Sequence, residues 1–327
     1  MTDPDQKTFL VTGAMGCLGA WTVSHLLRKG HRVVAFDLSR NTRRLELLLE
    51  SEELERVVLQ QGDLTDFGQV AALFERHSID HVIHLAALQV PFCRENPVLG
   101  ARVNVAGTVN LFEAVRRAGL PHMAYASSVA VYGRPEPDRS DPLVEAAAQS
   151  PLTLYGVYKQ ANEGTARMYW ADHEVSSIGL RPHTVYGPGR DQGITSDPTR
   201  AMLAAVLGEP FTIQYSNGFL LQFASDVARQ FIEASQDPER GNFVFNLGGE
   251  ARSMSQLVEM IQEIVPEARI DFVDNKFPIP ELVDSSALRQ HFRRVYETPL
   301  ESGVEQTISM FRELVQKGRL SAGGEAH

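Results

Sequence analysis

Tyr155 and Lys159 stand four residues apart in the segment Tyr155-Gly156-Val157-Tyr158-Lys159. On a helix, residues i and i+4 share a face and can touch. A phenol of ordinary pKa, near 10, is a poor base at neutral pH. A lysine cation beside it favours the phenolate, and the same ammonium can hold a cofactor hydroxyl. Lowering the phenol from about 10 to about 7 takes roughly 4 kcal/mol of differential interaction. The pair therefore reads as a proton-transfer unit, although a tyrosine packed under a surface lysine has the same spacing. Ser128, in Ser127-Ser128-Val129-Ala130-Val131-Tyr132-Gly133, lies 27 residues before the tyrosine. Its hydroxyl can donate to a substrate oxygen whose proton the tyrosine exchanges. Serine in such a place is also a common turn or cap residue.

A second constellation sits near the start. Thr12-Gly13-Ala14-Met15-Gly16-Cys17-Leu18-Gly19 follows an apolar strand, Phe9-Leu10-Val11, and precedes a helical run from Ala20 to Leu27. Glycines at this spacing allow a tight turn, close backbone approach to a pyrophosphate and close helix–strand packing. The helix N-terminus offers free amides and its positive dipole end to phosphates. A second strand ends in Asp37, 18 residues beyond Gly19, where a ribose-binding carboxylate belongs. A carboxylate repels a 2′-phosphate, so Asp37 favours NAD over NADP. Arg40, Arg43 and Arg44 follow closely and keep NADP open.

These residues need elements to position them. Up to about residue 180, short apolar strands alternate with helical patterns. Strands are expected at Thr8–Thr12, Arg32–Asp37, Val57–Gln61, Asp80–Leu85, His122–Ser127 and Ser176–Leu180, with helices between them, as at Phe67–Arg76 and Val103–Ala118. Such alternation predicts an α/β fold with a Rossmann-type, doubly wound parallel sheet. Ligands then bind beyond the carboxyl ends of the strands. Gly13, Asp37, Asp63, Ala86 and Ser128 each fall just after an expected strand. The expected organisation is an NAD-binding domain over 1–181 with a strand returning near 242–248, a smaller substrate-binding lobe over 182–318, and a disordered tail over 319–327. In the lobe, helices are expected at Thr199–Leu207, Asp226–Ala234, Ser253–Ile264 with Ser253 as cap, and roughly Pro299–Lys317.

Composition bounds the partners. The chain has 327 residues, 43% of them hydrophobic, an ordinary globular balance. A net charge of −10 argues against a nucleic-acid surface. Cys17 and Cys93 do not suggest a disulfide framework, and no Cys/His cluster has metal spacing. His81 and His84 flank a strand-like Val82-Ile83 and read as structural. The start is polar, without a signal-peptide pattern, and no stretch of 18 apolar residues could span a membrane. A cytoplasmic location follows as the expectation.

Together these pieces resemble the extended short-chain dehydrogenase/reductase family, in its NAD-dependent epimerase/dehydratase branch of the UDP-galactose 4-epimerase type. The resemblance runs from Phe9 to about Leu314. Besides the glycine segment it rests on Gly62-Asp63-Leu64, His84-Leu85-Ala86-Ala87, Ser127–Gly133, Tyr155–Lys159, and Leu180-Arg181-Pro182-His183-Thr184-Val185-Tyr186-Gly187-Pro188-Gly189. It implies catalytic roles for Ser128, Tyr155 and Lys159. It assigns to the cofactor Gly13, Met15, Gly16, Cys17, Leu18, Gly19, Asp37, Asp63, Leu64, Leu85, Ala86, Ala87 and Pro182, together with Tyr155 and Lys159. Asn104 joins that set as a structural member. Substrate contacts fall to Ser128, His183, Thr184 and Arg190. A homodimer through Val103–Ala118 and Pro151–His173 is implied, with Leu111, Val115, Ala161, Ala166 and Met168 facing either a partner or the sheet.

Departures from the family pattern narrow the chemistry. Dehydratases and decarboxylases carry an acid where Val129 and Ala130 stand, so a redox cycle at one carbon remains. Nucleotide-sugar members carry a pyrophosphate arginine where this chain has Phe219. Phe211, Phe219 and Phe223 are expected to give the substrate lobe an apolar wall, with Arg190 or Arg200 as substitutes for the missing arginine. The leading expectation is NAD-dependent redox chemistry at a secondary alcohol of a sugar or sugar derivative, as an epimerase with a transient ketone. A dehydrogenase of a small sugar, sugar acid or other hydroxyl compound is the alternative. A non-catalytic NAD-binding member is a further one.

Overall fold

Phe9-Leu10-Val11 and Val33-Val34-Ala35-Phe36 are 0–2% exposed, as strands covered on both faces must be. The computed structural model describes residues 6–133, 141–216, 218–277 and 279–320. Strands β1 (Thr8–Thr12), β2 (Arg32–Asp37), β3 (Val58–Gln61), β4 (His81–His84), β5 (His122–Ala126) and β6 (Ser176–Arg181) lie within 0–2 residues of the expected bounds. They are followed by β7 (Thr184–Tyr186), β8 (Phe211–Ile213), β9 (Phe219–Phe223), β10 (Asn242–Asn246), β11 (Glu250–Arg252) and β12 (Ile270–Phe272).

Seven strands form one sheet in the order β10-β6-β5-β4-β1-β2-β3, every pair parallel. Strand order reverses beside β1, so its carboxyl end opens on the switch-point crevice. Alternate side chains feed two cores. Phe9, Val11, Val33, Ala35 and Ile83 face one side, where the Cys17–Arg28 and Ala224–Ser235 helices pack. Leu10, Val34, Val82, Met123 and Tyr125 face the other, beneath Phe67–Arg76, Gly107–Arg117 and Leu154–His173. The chain beyond β6 adds a three-stranded sheet, β11-β9-β7, and a parallel pair, β12-β8.

Three local outcomes bear on the sequence expectation. The helix expected over Val103–Ala118 is a π-helical segment, Arg102–Ala106, leading into Gly107–Arg117. The wider turn carries Asn104 inward, where it closes two hydrogen bonds on Leu88. The tail expected to be disordered from 319 is packed at its start: Arg319 pairs with Glu50, and Leu320 is buried. Its remainder, 321–327, lies outside the described residues. Ser253 does cap its helix, in a reciprocal capping box with Gln256.

Candidate active site

The glycine turn is shaped by contacts that only glycine permits. Gly13 has φ 69° and would place a Cβ 2.6 Å from the Ala86 nitrogen. A Cβ on Gly19 would lie 2.1 Å from the Gly13 carbonyl. The Cys17–Arg28 helix therefore starts pressed against β1, with its first amides open to a cleft of about 850 Å³. The cleft is lined by every expected cofactor residue except Asn104: the glycine segment, Asp37, Asp63, Leu64, Leu85, Ala86, Ala87 and Pro182, with Tyr155 and Lys159. Asn104 instead ties the Leu88 backbone from behind, at 2.7 and 2.9 Å.

Asp37 accepts the amides of Met15 and Ser39, at 3.0 and 2.9 Å, at the cleft edge. The arginines beyond it are engaged elsewhere. Arg40 donates to Gln61 at 2.5 Å. Arg44 donates to Asp191 and to the Met15 carbonyl, at 2.6 and 2.9 Å. Arg43 lies 3.9 Å from the same Asp191 carboxylate. A carboxylate at the ribose position, with these arginines turned to other partners, fits NAD.

Thr153 caps the Leu154–His173 helix, accepting the Gly156 amide at 3.1 Å. Gly156 lets the first turn approach the loop after β5, since a Cβ there would sit 2.4 Å from the Ala130 carbonyl. Tyr155 and Lys159 then face the cleft together with Ser128. Ser128 accepts the Ala130 amide at 3.1 Å and lines the cleft with Tyr155. Lys159 is 3% exposed, donates to the Ala126 carbonyl at 2.6 Å and lies 5.6 Å from the Tyr155 ring centre.

Burial pushes the Tyr155 phenol above its ordinary value, while the neighbouring Ser128 hydroxyl and the Arg190 charge oppose that rise. The lysine's ammonium is turned to Ala126 rather than to the phenol oxygen. Burial also lowers Lys159 itself to about 8.

At the substrate end, Arg190 lines the cleft, with Nη2 donating to Thr195 at 3.2 Å and Nε buried without a partner. His183 and Thr184 line it too, but their polar atoms engage each other at 3.0 Å, and His183 Nε2 meets the Pro280 carbonyl at 2.5 Å. Arg200 is outside the lining: it pairs with Asp197 and covers Phe211. The expected phenylalanine wall is not built as foreseen. Phe223 is 5% exposed and packs on Trp21 and Tyr186 in the core. The apolar lining comes from Leu152, Ile194, Phe277 and Ile279. The side chain of Phe219 lies outside the described ones.

Residues 9–248 match the NAD dependent epimerase/dehydratase family. The chain belongs to this family. UDP-glucose 4-epimerase of Mycolicibacterium smegmatis is 29% identical, across 94% of this chain and 99% of its own. UDP-glucose 4-epimerase of Thermus thermophilus, solved with NAD, superposes with a TM-score of 0.79 at 26% identity, covering 93% of this chain and 99% of its own. A partial-consensus L-threonine 3-dehydrogenase superposes with 0.82 at 26% identity, over 94% and 99%. The protein is an NAD-dependent enzyme of the epimerase or dehydrogenase kind. Among the described residues, no helix is long and apolar enough to cross a membrane.

Sequence reasoning missed part of the site of this epimerase/dehydratase member. Glu163, one turn beyond Lys159, accepts two parallel hydrogen bonds from Nε and Nη2 on one edge of the Arg181 guanidinium, at 2.7 and 2.7 Å. The Ser127 hydroxyl donates to it at 2.5 Å and Gln149 at 2.6 Å. The available signal was spacing alone: Glu163 continues the i, i+4 series that begins at Tyr155.

Proposed function

We propose that the enzyme is a sugar epimerase, oxidising one secondary alcohol of its substrate to a transient ketone and re-reducing it on the other face. The observation that carries this reading is the meeting of Ser128, Tyr155 and Lys159 on the cleft that the glycine turn opens. NAD supplies the hydride acceptor and, when oxidised, a positive charge. Tyr155 takes the hydroxyl proton and returns it. Ser128 donates to the same oxygen, and Lys159 stays charged below about pH 8. Val129 and Ala130 offer no carboxylate for elimination or decarboxylation. The named relatives make a sugar nucleotide the first substrate class to test.

The loop around 187–191 supports retention of the cofactor between half-reactions. Trp21 Nε1 donates to the Pro188 carbonyl at 3.0 Å, and Arg44 holds Asp191. Arg44 and Asp191 both line the cleft that the glycine turn opens.

One observation favours a second reading, a dehydrogenase of a smaller hydroxyl compound. Phe219 stands in β9 where nucleotide-sugar members carry an arginine, and Arg200 is turned away from the cleft. A compact ligand would suit an apolar wall with few convergent polar groups. Purified protein decides between the two. The epimerase reading expects co-purified NAD, epimer exchange without accumulating NADH, and micromolar UDP binding displaced by a UDP-sugar. NADH accumulation without UDP binding would establish the dehydrogenase. We further infer a homodimer, supported by exposed apolar side chains on neighbouring helices.

A further inference from the structure

Three successive turns of the Leu154–His173 helix face three successive residues at the exit of β5. Tyr155 lines the cleft with Ser128. Lys159 Nζ donates to the Ala126 carbonyl at 2.6 Å. Glu163 Oε1 accepts the Ser127 hydroxyl at 2.5 Å. Residues at i, i+4 and i+8 share one helix face. The proton-transfer reading uses the first two and leaves Glu163 without a task.

Glu163 is 8% exposed and fully engaged by Ser127, Arg181 and Gln149. Arg181 extends the chain to the Tyr132 hydroxyl at 2.5 Å, which donates to Asn246 Oδ1 at 2.7 Å. Buried ion pairs often add no stability over apolar packing, so stability alone is a weak reason for one behind a catalytic segment. Turnover supplies a better one. Ser128 and Tyr155 must both turn to the substrate oxygen during the reaction, so neither can anchor the segment throughout. The Ser127–Glu163 contact touches no reactant and persists through the cycle.

We propose that Glu163 is a positioning residue for the proton-transfer unit, fixing the β5 exit through Ser127 so that Ser128 and the Ala126 carbonyl stay in register with Tyr155 and Lys159. The proposal rests on the catalytic reading above. Lys159 is faced by Cys93, by His84 of β4, and by Tyr155 and Glu163 of its own helix, with Arg181 of β6 behind Glu163.

Two substitutions separate the link from the charge. Ser127→Ala keeps the Glu163–Arg181 pair and deletes the link; Glu163→Gln keeps the shape and deletes the charge. Both should fold and bind NAD as the parent does, yet lose kcat by about 10- to 100-fold at unchanged KM, as a small misplacement of reacting groups does. Ser127→Thr, which retains a hydroxyl, should restore turnover. A readout without substrate comes from isotope-labelled lysine NMR, with the Lys159 signal assigned by its loss in Lys159→Met. Its titration midpoint should fall in Glu163→Gln, where a facing negative charge is gone. It should rise in Ser127→Ala, where the segment loosens and water reaches the ammonium. Unmoved midpoints with parental kcat in both variants would overturn the proposal, as would a loss of NAD binding equal to the loss of kcat. Parental turnover in Tyr155→Phe would instead refute the catalytic reading, and the lysine titration would still judge Glu163.

Discussion

A phenol that is to accept a proton must first give up its own, and in the protein alone Tyr155 holds it more firmly than free tyrosine does. Desolvation is the largest cause, and it is invisible in a one-dimensional pattern. The Tyr-x-x-x-Lys spacing identified the pair and its shared face, yet gave no hint that Lys159 turns to Ala126. Tyr155→Phe should keep the fold and NAD binding and lose about 10²–10⁴-fold in turnover, the usual contribution of a positioned acid/base. Comparable rates for the two proteins would remove the tyrosine from the mechanism. Lys159 carries a cost of its own. Its pKa is about 8 in the fold against a reference of 10.5. Between these values the unfolded chain binds more protons, so the lysine's contribution to stability improves as pH rises. Below pH 8 the penalty is complete, about 3 kcal/mol. Lys159→Met should therefore be inactive yet melt higher at pH 7, with the difference shrinking towards pH 10.5. A lower melting temperature at pH 7 would contradict the burial argument.

Elements differed in how openly the sequence declared them. Parallel strands buried on both faces are continuous apolar runs, so β1, β2 and β6 were legible to within a residue. Three-residue strands such as β7 and β11 take their conformation from a neighbour and leave no periodic trace. The π turn around Asn104 was hidden because its pattern resembles an ordinary helix. The glycine turn and the strand ends placed the residues that line the cleft, since each residue there has a local reason. The straps around 187–191 were not legible, because they depend on partners far apart in sequence: Arg44 and Asp191 are separated by 147 residues. Asp191 receives two donors from Arg44, at 3.0 and 2.6 Å, and both residues line the cleft. Asp191→Ala should leave the fold intact and weaken NAD by about tenfold, near the 1.4 kcal/mol of a partly buried charged contact. Calorimetric titration reads this directly, and undiminished affinity would show that the strap does not retain the cofactor.

At the scale of the molecule, the faces left exposed are as informative as those buried. Leu111, Val115 and Ala166, which the sequence left free to face a partner, are 0% exposed and belong to the internal core. Leu154, Val157 and Met168 line the outer face of the Leu154–His173 helix at 42, 42 and 49% exposure. Val98 and Leu99 at 65 and 44%, and Val109 at 37%, lie on helices packed beside it. Three neighbouring helices with a shared apolar stripe suit a symmetric contact in which the same patch meets itself. Such a contact would bury the back of the helix that carries Tyr155 and Lys159 and stiffen it. Val109→Glu with Met168→Glu places like charges on the stripe of each subunit and leaves every cleft residue in place. The parent should sediment as a dimer at micromolar concentration, and its melting temperature should rise with concentration, as linked association requires. The double variant should sediment as a monomer, melt lower and lose that dependence. A parent that sediments as a monomer would refute the dimer and leave the stripe without a partner.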